Sequence, residues 1–242
     1  MFRRLLIGPI TRLFFPMHVV GRENLPTSGP FIIAAGPHRT ELESVILASN
    51  LAKYEIHFFA KASYWEKSPL HRWFMNGTGQ LPISQMGGRG VEEQIQAGVD
   101  ALREGGIVAI YPEGTRGGDR LLHKGHTGVA RTAILANAPI VPIGMIGMER
   151  LNPPGRGLHP GRGTIIIGEP IYPLTDASDE DRSLLERALA LLEEKKSPLV
   201  KPTIVAHARL LTGKLMREIS RLSTAPYADS YLEIGGLMKR RS

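Results

Sequence analysis

Residues 31–43 read FIIAAGPHRTELE, and the rest of the chain is arranged around this stretch. Five apolar residues predict a short buried strand, which the Gly-Pro pair at 36–37 ends. His38 then stands on a loop, and Thr40 and Glu43 stand where a helix begins. A strand that stops, exposes an imidazole and continues as a helix is a βα junction. In open α/β sheets such junctions gather at the carboxyl ends of the strands, where ligands bind.

The types and spacing of His38 and Glu43 suit proton transfer. An imidazole can take and return a proton near neutral pH. A carboxylate on its second ring nitrogen fixes the tautomer and stabilises the imidazolium. The stretch contains no obvious nucleophile, so a catalytic pair here activates a hydroxyl group of the substrate. Thr40-x-x-Glu43 also fits a capping box, which leaves Glu43 as either a catalytic partner or a helix cap.

Length and composition limit the classes of protein. A chain of 242 residues is long enough for one sizeable α/β domain, with or without an appendage. The proportions of hydrophobic and charged residues, 42% and 22%, are those of an ordinary globular protein. The absence of cysteine excludes disulfides, thiolate catalysis and zinc–cysteine sites.

The charge of the chain points to anionic partners. The formal net charge is +7, which favours a lipid surface, a phosphorylated substrate or nucleic acid. Nucleic acid is the weakest of the three, because no dense Lys/Arg run or basic-aromatic motif is present, and we expect none to be bound.

The N-terminal residues 2–15, FRRLLIGPITRLFF, place arginines among large apolar residues. Such a segment suits a membrane interface, and equally a helix docked on the protein's own core. Prolines and charges interrupt it, so we expect neither a signal peptide nor a spanning helix. These features predict a peripheral or monotopic protein on the cytoplasmic face of a membrane.

Strand and helix patterns alternate along the chain. Strand patterns cover residues 18–20, 31–35, 56–60, 79–84, 107–111, 140–145 and 164–167. Helical patterns cover residues 40–51, 64–75, 91–104, 127–136 and 178–196, and continue from 203 to about 237. This alternation predicts a single α/β domain with a mostly parallel or mixed central sheet flanked by helices. The expected division is an N-terminal membrane-interface arm at 1–20, the α/β domain at 21–175 and a C-terminal helical extension, packed on the domain, at 176–242.

A second apolar run, IVAIY at 107–111, also ends in a loop of polar residues, PEGTRG at 112–117. If this strand and the first one lie parallel in one sheet, both loops emerge at the same edge. Gly114 then allows the backbone to approach a ligand closely, and Arg116 offers a planar fork suited to phosphate. The alternative is a tight turn whose arginine is simply solvated.

The order of four short blocks resembles the glycerolipid acyltransferase family that includes the 1-acylglycerol-3-phosphate acyltransferases. That family carries His-x4-Asp, then Gly-x-x-Pro, then Pro-Glu-Gly-Thr-Arg, then a Val-Pro block. The corresponding blocks here are HRTELE at 38–43, GQLPISQ at 79–85, YPEGTR at 111–116 and IVPIG at 140–144. The match covers about residues 20–170, and four ordered blocks are far more specific than any one of them.

The resemblance implies transfer of a fatty acyl group from acyl-CoA or acyl-ACP, the carrier-protein thioester, to a lysophosphatidic acid-like glycerolipid. His38 becomes the general base on the acceptor hydroxyl, and Glu43 its orienting carboxylate. Arg116, with Gly114 and Thr115 beside it, holds the acceptor phosphate, and Glu113 is a binding or loop-ordering residue. No permanently bound cofactor and no metal site are expected, although His123 and His126 have a spacing that a metal site can use.

Two positions depart from the family pattern. Glu43 replaces the aspartate and is one methylene longer. Gln85 replaces an arginine that helps to hold phosphate, which removes a charge-assisted contact of about 1.5–3 kcal/mol. We expect Arg89 or Lys124 to supply that contact, with Arg131 as a further candidate.

The same departures leave other functions open. A different lysolipid or an aminolipid acceptor also accounts for Gln85. A catalytically degenerate lipid-binding protein on the same fold accounts for both substitutions, and a thioesterase would use water in place of the alcohol.

Overall fold

The computed structural model describes residues 8–40, 42–84, 90–151, 157, 159–193 and 200–232. The described strands are β1 (Met17–Val20), β2 (Phe31–Gly36), β3 (Ile56–Lys61), β4 (Leu81–Ile83), β5 (Ile107–Ile110), β6 (Leu122–His123), β7 (Ile140–Ile146), β8 (Gly163–Ile167) and β9 (Tyr227–Ala228). The described helices are α1 (Gly8–Phe14), α2 (Leu42–Asn50), α3 (Ser63–Glu66), α4 (Pro69–Gly77), α5 (Val91–Arg103), α6 (Gly128–Ala136), α7 (Met148–Leu151), α8 (Asp179–Glu193) and α9 (Val200–Ser223).

The central sheet has seven strands in the order β1-β8-β7-β2-β5-β3-β4. Only the β7–β8 pair is antiparallel, and the other neighbouring strands run parallel. The predicted mostly parallel or mixed sheet is therefore confirmed. β2 lies between β5 and β7, and Ile33 stands opposite both Ala109 and Val141. The carboxyl ends of β2 and β5 thus meet at one edge, as the sequence predicts.

Both faces of the sheet are covered, which explains why β2 is apolar throughout. Phe31 and Ile33 face the layer that contains α2, whereas Ile32 and Ala34 face α5, α6 and α9. Successive side chains of a strand point to opposite faces, so a strand buried on both sides needs a continuous apolar run. All six residues of β2 are buried.

The C-terminal region differs from its prediction. The helical pattern from 203 to about 237 is wrong for residues 224–232, because α9 ends at Ser223, and residues 233–237 lie outside the described part of the chain. Thr224 adopts a positive φ of 57°, and Pro226, which lacks an N–H, follows it. The chain then forms β9, which pairs in parallel with β6. α9 itself packs on α6 and on β7 of the sheet.

The described part of the N-terminal arm both docks and exposes apolar surface. Thr11 is buried and Phe15 joins the core cluster that contains α2. Ile10, Leu13 and Phe14 remain exposed. Among the described residues, no helix is long and apolar enough to cross a membrane.

Candidate active site

The loop after β2 is held in place by the loop after β5. The chain leaves β2 through a cis Gly36–Pro37 peptide bond. The backbone N–H of His38 donates to Glu113 Oε2 at 2.7 Å, and the carbonyl of His38 accepts from the N–H of Gly117 at 2.8 Å. The two loops that the sequence predicts at one sheet edge are therefore joined by hydrogen bonds on both sides of His38.

His38 and Glu43 form a close pair. His38 Nδ1 lies 2.6 Å from Glu43 Oε2, and the Glu43 side chain is fully buried while that of His38 is 16% exposed. A carboxylate only accepts hydrogen bonds, so Nδ1 carries the proton when Glu43 is ionised. Nε2 of the neutral ring then has a free lone pair, which is the arrangement a general base needs.

Glu43 also stabilises the start of α2. Its carboxylate accepts the backbone N–H of Arg39 at 2.8 Å and that of Thr40 at 3.1 Å, and Thr40 Oγ1 accepts the N–H of Leu42 at 3.2 Å. The helix-cap interpretation and the histidine-partner interpretation of Glu43 are thus compatible. The longer side chain of glutamate serves both contacts at once.

Tyr111 supports the imidazole from one side, and the sequence interpretation missed it. Its ring stacks on His38 with centroids 3.9 Å apart and planes 9° apart. Its hydroxyl lies 3.1 Å from Ser44 Oγ. Burial, and then the negative charge of Glu43, raise the pKa of Tyr111 well above its ordinary range, so it remains a neutral phenol. The available signal was an aromatic residue directly before the PEGTR block.

Glu113 orders the loops and is almost inaccessible. It is 1% exposed, and its two carboxylate oxygens accept the backbone N–H groups of His38 and His123. Burial raises the pKa of Glu113, and these two hydrogen bonds oppose the rise. Of the two roles that the resemblance offers for Glu113, the geometry supports loop ordering.

The turn after Glu113 consists of residues 114–116, of which Gly114 and Arg116 are exposed to solvent. Gly114 has a φ of +73°, and an added Cβ atom would lie 2.9 Å from the ring of His126, so this position needs glycine. Thr115 is half-buried and Arg116 is exposed on the same turn. A turn of this kind can offer N–H donors and a guanidinium to an anion.

The candidates for replacing the motif arginine have different positions. Lys124 follows His123, whose backbone N–H donates a hydrogen bond to Glu113. The Nζ atom of Lys124 lies 2.9 Å from Asp229 Oδ1. Arg131 is buried and donates to Glu92 at 2.8 Å, so it is committed to α5. Arg89 and Gln85 lie outside the described residues.

The two histidines considered for metal binding contact other side chains. His123 lies 2.9 Å from Asp119 through Nε2, and His126 stacks on Tyr231. Within the part of the chain that the structure describes, no group of three His, Cys, Asp or Glu side chains could hold a metal ion.

An apolar cavity of about 670 Å³ lies along α2. Its wall includes Ser44, which follows Glu43 in the chain and whose hydroxyl lies 3.1 Å from that of Tyr111. The remaining lining comes from α2, β3, the α3–α4 segment and the residues before β4, and includes Val45, Ala48, Phe58, Tyr64, Leu70, Trp73 and Met75. The volume falls in the range of about 300–1,000 Å³ that is usual for small-molecule sites. The cavity can therefore hold an apolar chain, and Ser44 and Tyr111 connect its wall to His38.

The chain is similar in sequence and in fold to known proteins. A sequence model described as "Acyltransferase" matches residues 16–146, more than half of the chain. That range contains His38, Glu43 and residues 113–116.

Among curated proteins, a 1-acyl-sn-glycerol-3-phosphate acyltransferase of Chlamydomonas reinhardtii is 30% identical over 69% of this chain and 50% of its own length. One from Bacillus subtilis is 28% identical over 64% of this chain and 73% of its own length. A chloroplastic one from Brassica napus is 29% identical over 66% of this chain and 46% of its own length. The chain thus spans about half the length of the algal and plant relatives.

Among solved structures, the 1-acyl-sn-glycerophosphate acyltransferase PlsC from Thermotoga maritima superposes with a TM-score of 0.59 and 26% identity. The superposition covers 79% of this chain and 78% of that one.

Proposed function

The chain belongs to the acyltransferase family, and from that premise we propose that it acylates the free hydroxyl of a lysophosphatidic acid-like glycerolipid. The acyl donor is a thioester, acyl-CoA or acyl-ACP. The observation that carries the proposal is the His38–Glu43 pair, whose Nδ1 and Oε2 atoms lie 2.6 Å apart. His38 is hydrogen-bonded to Glu113 in the loop that carries the Gly114–Arg116 turn, and Ser44, next to Glu43, lines an apolar cavity of about 670 Å³.

His38 acts as the general base in this proposal. Its Nε2 takes the proton of the acceptor hydroxyl while the oxygen attacks the thioester carbonyl. The tetrahedral intermediate then collapses, the carbon–sulfur bond breaks, and the imidazolium returns the proton to the departing thiolate. The products are an ester-linked lipid and the free thiol of the carrier. Glu43 holds the ring and stabilises the imidazolium, as the carboxylate of a catalytic triad does.

The acceptor phosphate is placed on the turn after Glu113. Arg116 supplies a planar cation, and Thr115 beside it supplies a backbone N–H group. Gly114, whose own N–H donates to the carbonyl of Tyr111 at 3.0 Å, allows the chain to turn at a position that accepts only glycine. Lys124 contributes a further charge, and Arg89 is the other candidate for the contact that Gln85 cannot make. Glu113 holds the turn close to the His38 loop, because its carboxylate accepts the backbone N–H groups of His38 and His123.

The acyl chain that is transferred occupies the apolar cavity. Ser44 lies at one end of this cavity, one hydrogen bond from Tyr111 and so one side chain from His38. This arrangement brings the thioester carbonyl to the imidazole when the chain is buried.

A lipid surface is the proposed partner of the exposed apolar residues around this cavity. Leu70 and Trp73, which line the cavity, are 69% and 56% exposed, and Leu13 of α1 is 76% exposed. Three basic residues between the end of β3 and α4 are also exposed, namely Lys61, Lys67 and Arg72. Their charges suit anionic lipids such as those of the cytoplasmic leaflet. We place the protein at that face, with residues 1–20 as the arm, 21–175 as the catalytic domain and 176–242 as an extension packed on the domain, which is helical at α8 and α9 and includes the strand β9.

An acceptor and donor panel tests the function. The purified chain is incubated with labelled acyl-CoA or acyl-ACP, and with lysophosphatidic acid, lysophosphatidylcholine, an aminolipid or no acceptor, and products are identified by mass spectrometry. We expect a diacyl phosphomonoester with lysophosphatidic acid and little thiol release without an acceptor. Preference for another acceptor would reassign the head group. Thiol release that ignores every acceptor would identify a thioesterase, and lipid binding without turnover would identify a degenerate binding protein.

A further inference from the structure

The last described residues, 227–232, lie across the loop that follows the Gly114–Arg116 turn, and we refer to them as the C-terminal strap. Its first two residues form β9, paired in parallel with β6. The backbone N–H of Lys124 donates to the carbonyl of Ser230 at 3.0 Å. The neighbour of Lys124, His123, is bonded to Glu113. The strap is therefore fastened to the same loops that position His38.

A group of basic side chains surrounds the ring of Tyr231 in the strap. His126 stacks on this ring with centroids 4.9 Å apart, and the His126 ring also lies close to Gly114. Lys124 Nζ lies 5.6 Å and Arg209 Cζ 5.7 Å from the ring centroid. Arg209 also donates to the carbonyl of Gly125 at 2.8 Å, which fixes its guanidinium there. Lys124 and Arg209 thus stand at the ring of Tyr231, which His126 links to Gly114 of the turn to which the acceptor phosphate is assigned.

The strap supplies an anion to one of these cations. Asp229 Oδ1 lies 2.9 Å from Lys124 Nζ, and the two side chains are 72% and 29% exposed. The hydrogen bond between them raises the pKa of Lys124 and lowers that of Asp229, so both groups are charged at neutral pH. A carboxylate in this position makes the contact that a phosphate oxygen of a ligand would make.

We propose that Asp229 competes with the phosphate of the acceptor for Lys124, and so sets how strongly the enzyme selects acceptors that carry a phosphomonoester. The proposal rests on the function proposed above, because it assigns the phosphate to this end of the site. An ion pair as exposed as Lys124–Asp229 is weak. A phosphate dianion carries more charge and more acceptor atoms than a carboxylate, so it can displace Asp229 while a zwitterionic head group gains less.

The kinetic test compares Asp229→Asn, Lys124→Ala and the double variant. Asp229→Asn keeps the shape and removes the competing charge, so the KM for lysophosphatidic acid falls about two- to fivefold while kcat is unchanged. Lys124→Ala raises that KM by about tenfold or more. In the Lys124→Ala background the effect of Asp229→Asn is smaller, because the cation with which it pairs is gone and only the more distant charge of Arg209 remains. Asp179→Asn, which removes an exposed carboxylate facing Arg182 on α8, is the matched control and leaves KM unchanged.

Calorimetric titration of the full chain with inorganic phosphate separates this proposal from the proposed function. Asp229→Asn should bind phosphate two- to fivefold more tightly than the unaltered chain, and Lys124→Ala should bind it more weakly, whether or not acyl transfer is observed. One contrary outcome is that the unaltered chain acylates lysophosphatidic acid while Asp229→Asn neither lowers the KM nor tightens phosphate binding. That result would disprove the competition and leave the proposed function standing. If the unaltered chain binds no phosphate, the assignment of Lys124 and Asp229 to an anion site is wrong.

Discussion

Glu43 contacts both the start of α2 and the imidazole that is proposed to act as the base. Its carboxylate accepts the backbone N–H groups of Arg39 and Thr40 and the ring N–H of His38. Each contact restrains the others, so the orientation of the imidazole depends on the length of this side chain. The extra methylene, which departs from the family pattern, does not break the pair in this structure.

Shortening Glu43 is expected to lower turnover more than it lowers stability. Glu43→Asp withdraws the carboxylate by about one carbon–carbon bond, and a misplacement of about 1 Å can cost about 10²-fold in rate. We expect kcat to fall by about that factor, as measured by thiol release with saturating lysophosphatidic acid. Glu43→Gln, which keeps the length but loses the charge, should also be impaired. Full activity in Glu43→Asp would show that the contact with His38 is dispensable.

Glu113 is expected to matter for stability, because it satisfies two backbone donors from different loops. Glu113→Ala leaves the N–H groups of His38 and His123 without this acceptor, at a cost of about 1–3 kcal/mol for each donor that stays buried. Urea unfolding should report the loss as a lower midpoint. Glu218→Ala, which removes a partner of Arg221 on the surface of α9, should change stability by no more than about 1 kcal/mol. Equal midpoints for the two variants would contradict the loop-ordering role.

At the scale of elements, the parts with strong local signals were predictable. β2 and β5 are continuous apolar runs that stop at Gly-Pro and Pro-Glu-Gly, so both their existence and their loops could be predicted. The stacking of Tyr111 on His38 could not, because it depends on β5 lying next to β2 in a particular register. The strap was missed for the same reason. Pairing of Tyr227–Ala228 with Leu122–His123 joins residues that are distant in sequence and carry no local strand pattern.

The helix α2 connects the catalytic loop to the apolar cavity. Ala48 lies on α2 and lines the cavity, in the turn after Glu43 and Ser44. Ala48→Phe fills part of the cavity and should therefore shift the preference toward shorter acyl-CoA donors. The expected result is a loss of kcat/KM that grows with chain length, measured over a donor series from short to long.

Ala206→Phe is the matched control for Ala48→Phe, because Ala206 is exposed on α9. It should leave the chain-length profile unchanged. A uniform loss for all donors in Ala48→Phe would mean that the cavity does not hold the acyl chain.

At the scale of the whole molecule, exposed apolar side chains line the cavity of a basic chain. Leu70 and Trp73 are exposed at the cavity, and the chain carries a net charge of +7. The sequence predicted a membrane-interface arm but left open a helix docked on the core. In the structure Thr11 and Phe15 are buried, as in a docked helix, while Leu13 is exposed, and contact of the arm with a membrane stays a prediction.

Vesicle binding distinguishes a lipid-facing surface from ordinary surface leucines. Leu70→Glu and Leu210→Glu alter side chains of nearly equal exposure, 69% and 68%, on α4 and α9. Burial of a leucine in lipid is worth about 1.5–3 kcal/mol, so Leu70→Glu should weaken binding to anionic vesicles by about tenfold or more in co-sedimentation. Leu210→Glu should bind as the unaltered chain does. Equal binding by the two variants would show that α4 does not contact lipid.

The central claim is that His38 takes the proton of the acceptor hydroxyl. The most direct measurement is kcat/KM for acyl transfer to lysophosphatidic acid in His38→Ala, compared with His207→Ala, whose histidine lies 2.9 Å from Asp181 in the C-terminal helices. Loss of a general base should lower the rate of His38→Ala by about 10²–10⁴-fold, while His207→Ala keeps its activity. Folded His38→Ala protein that transfers acyl groups as fast as the unaltered chain would contradict the claim.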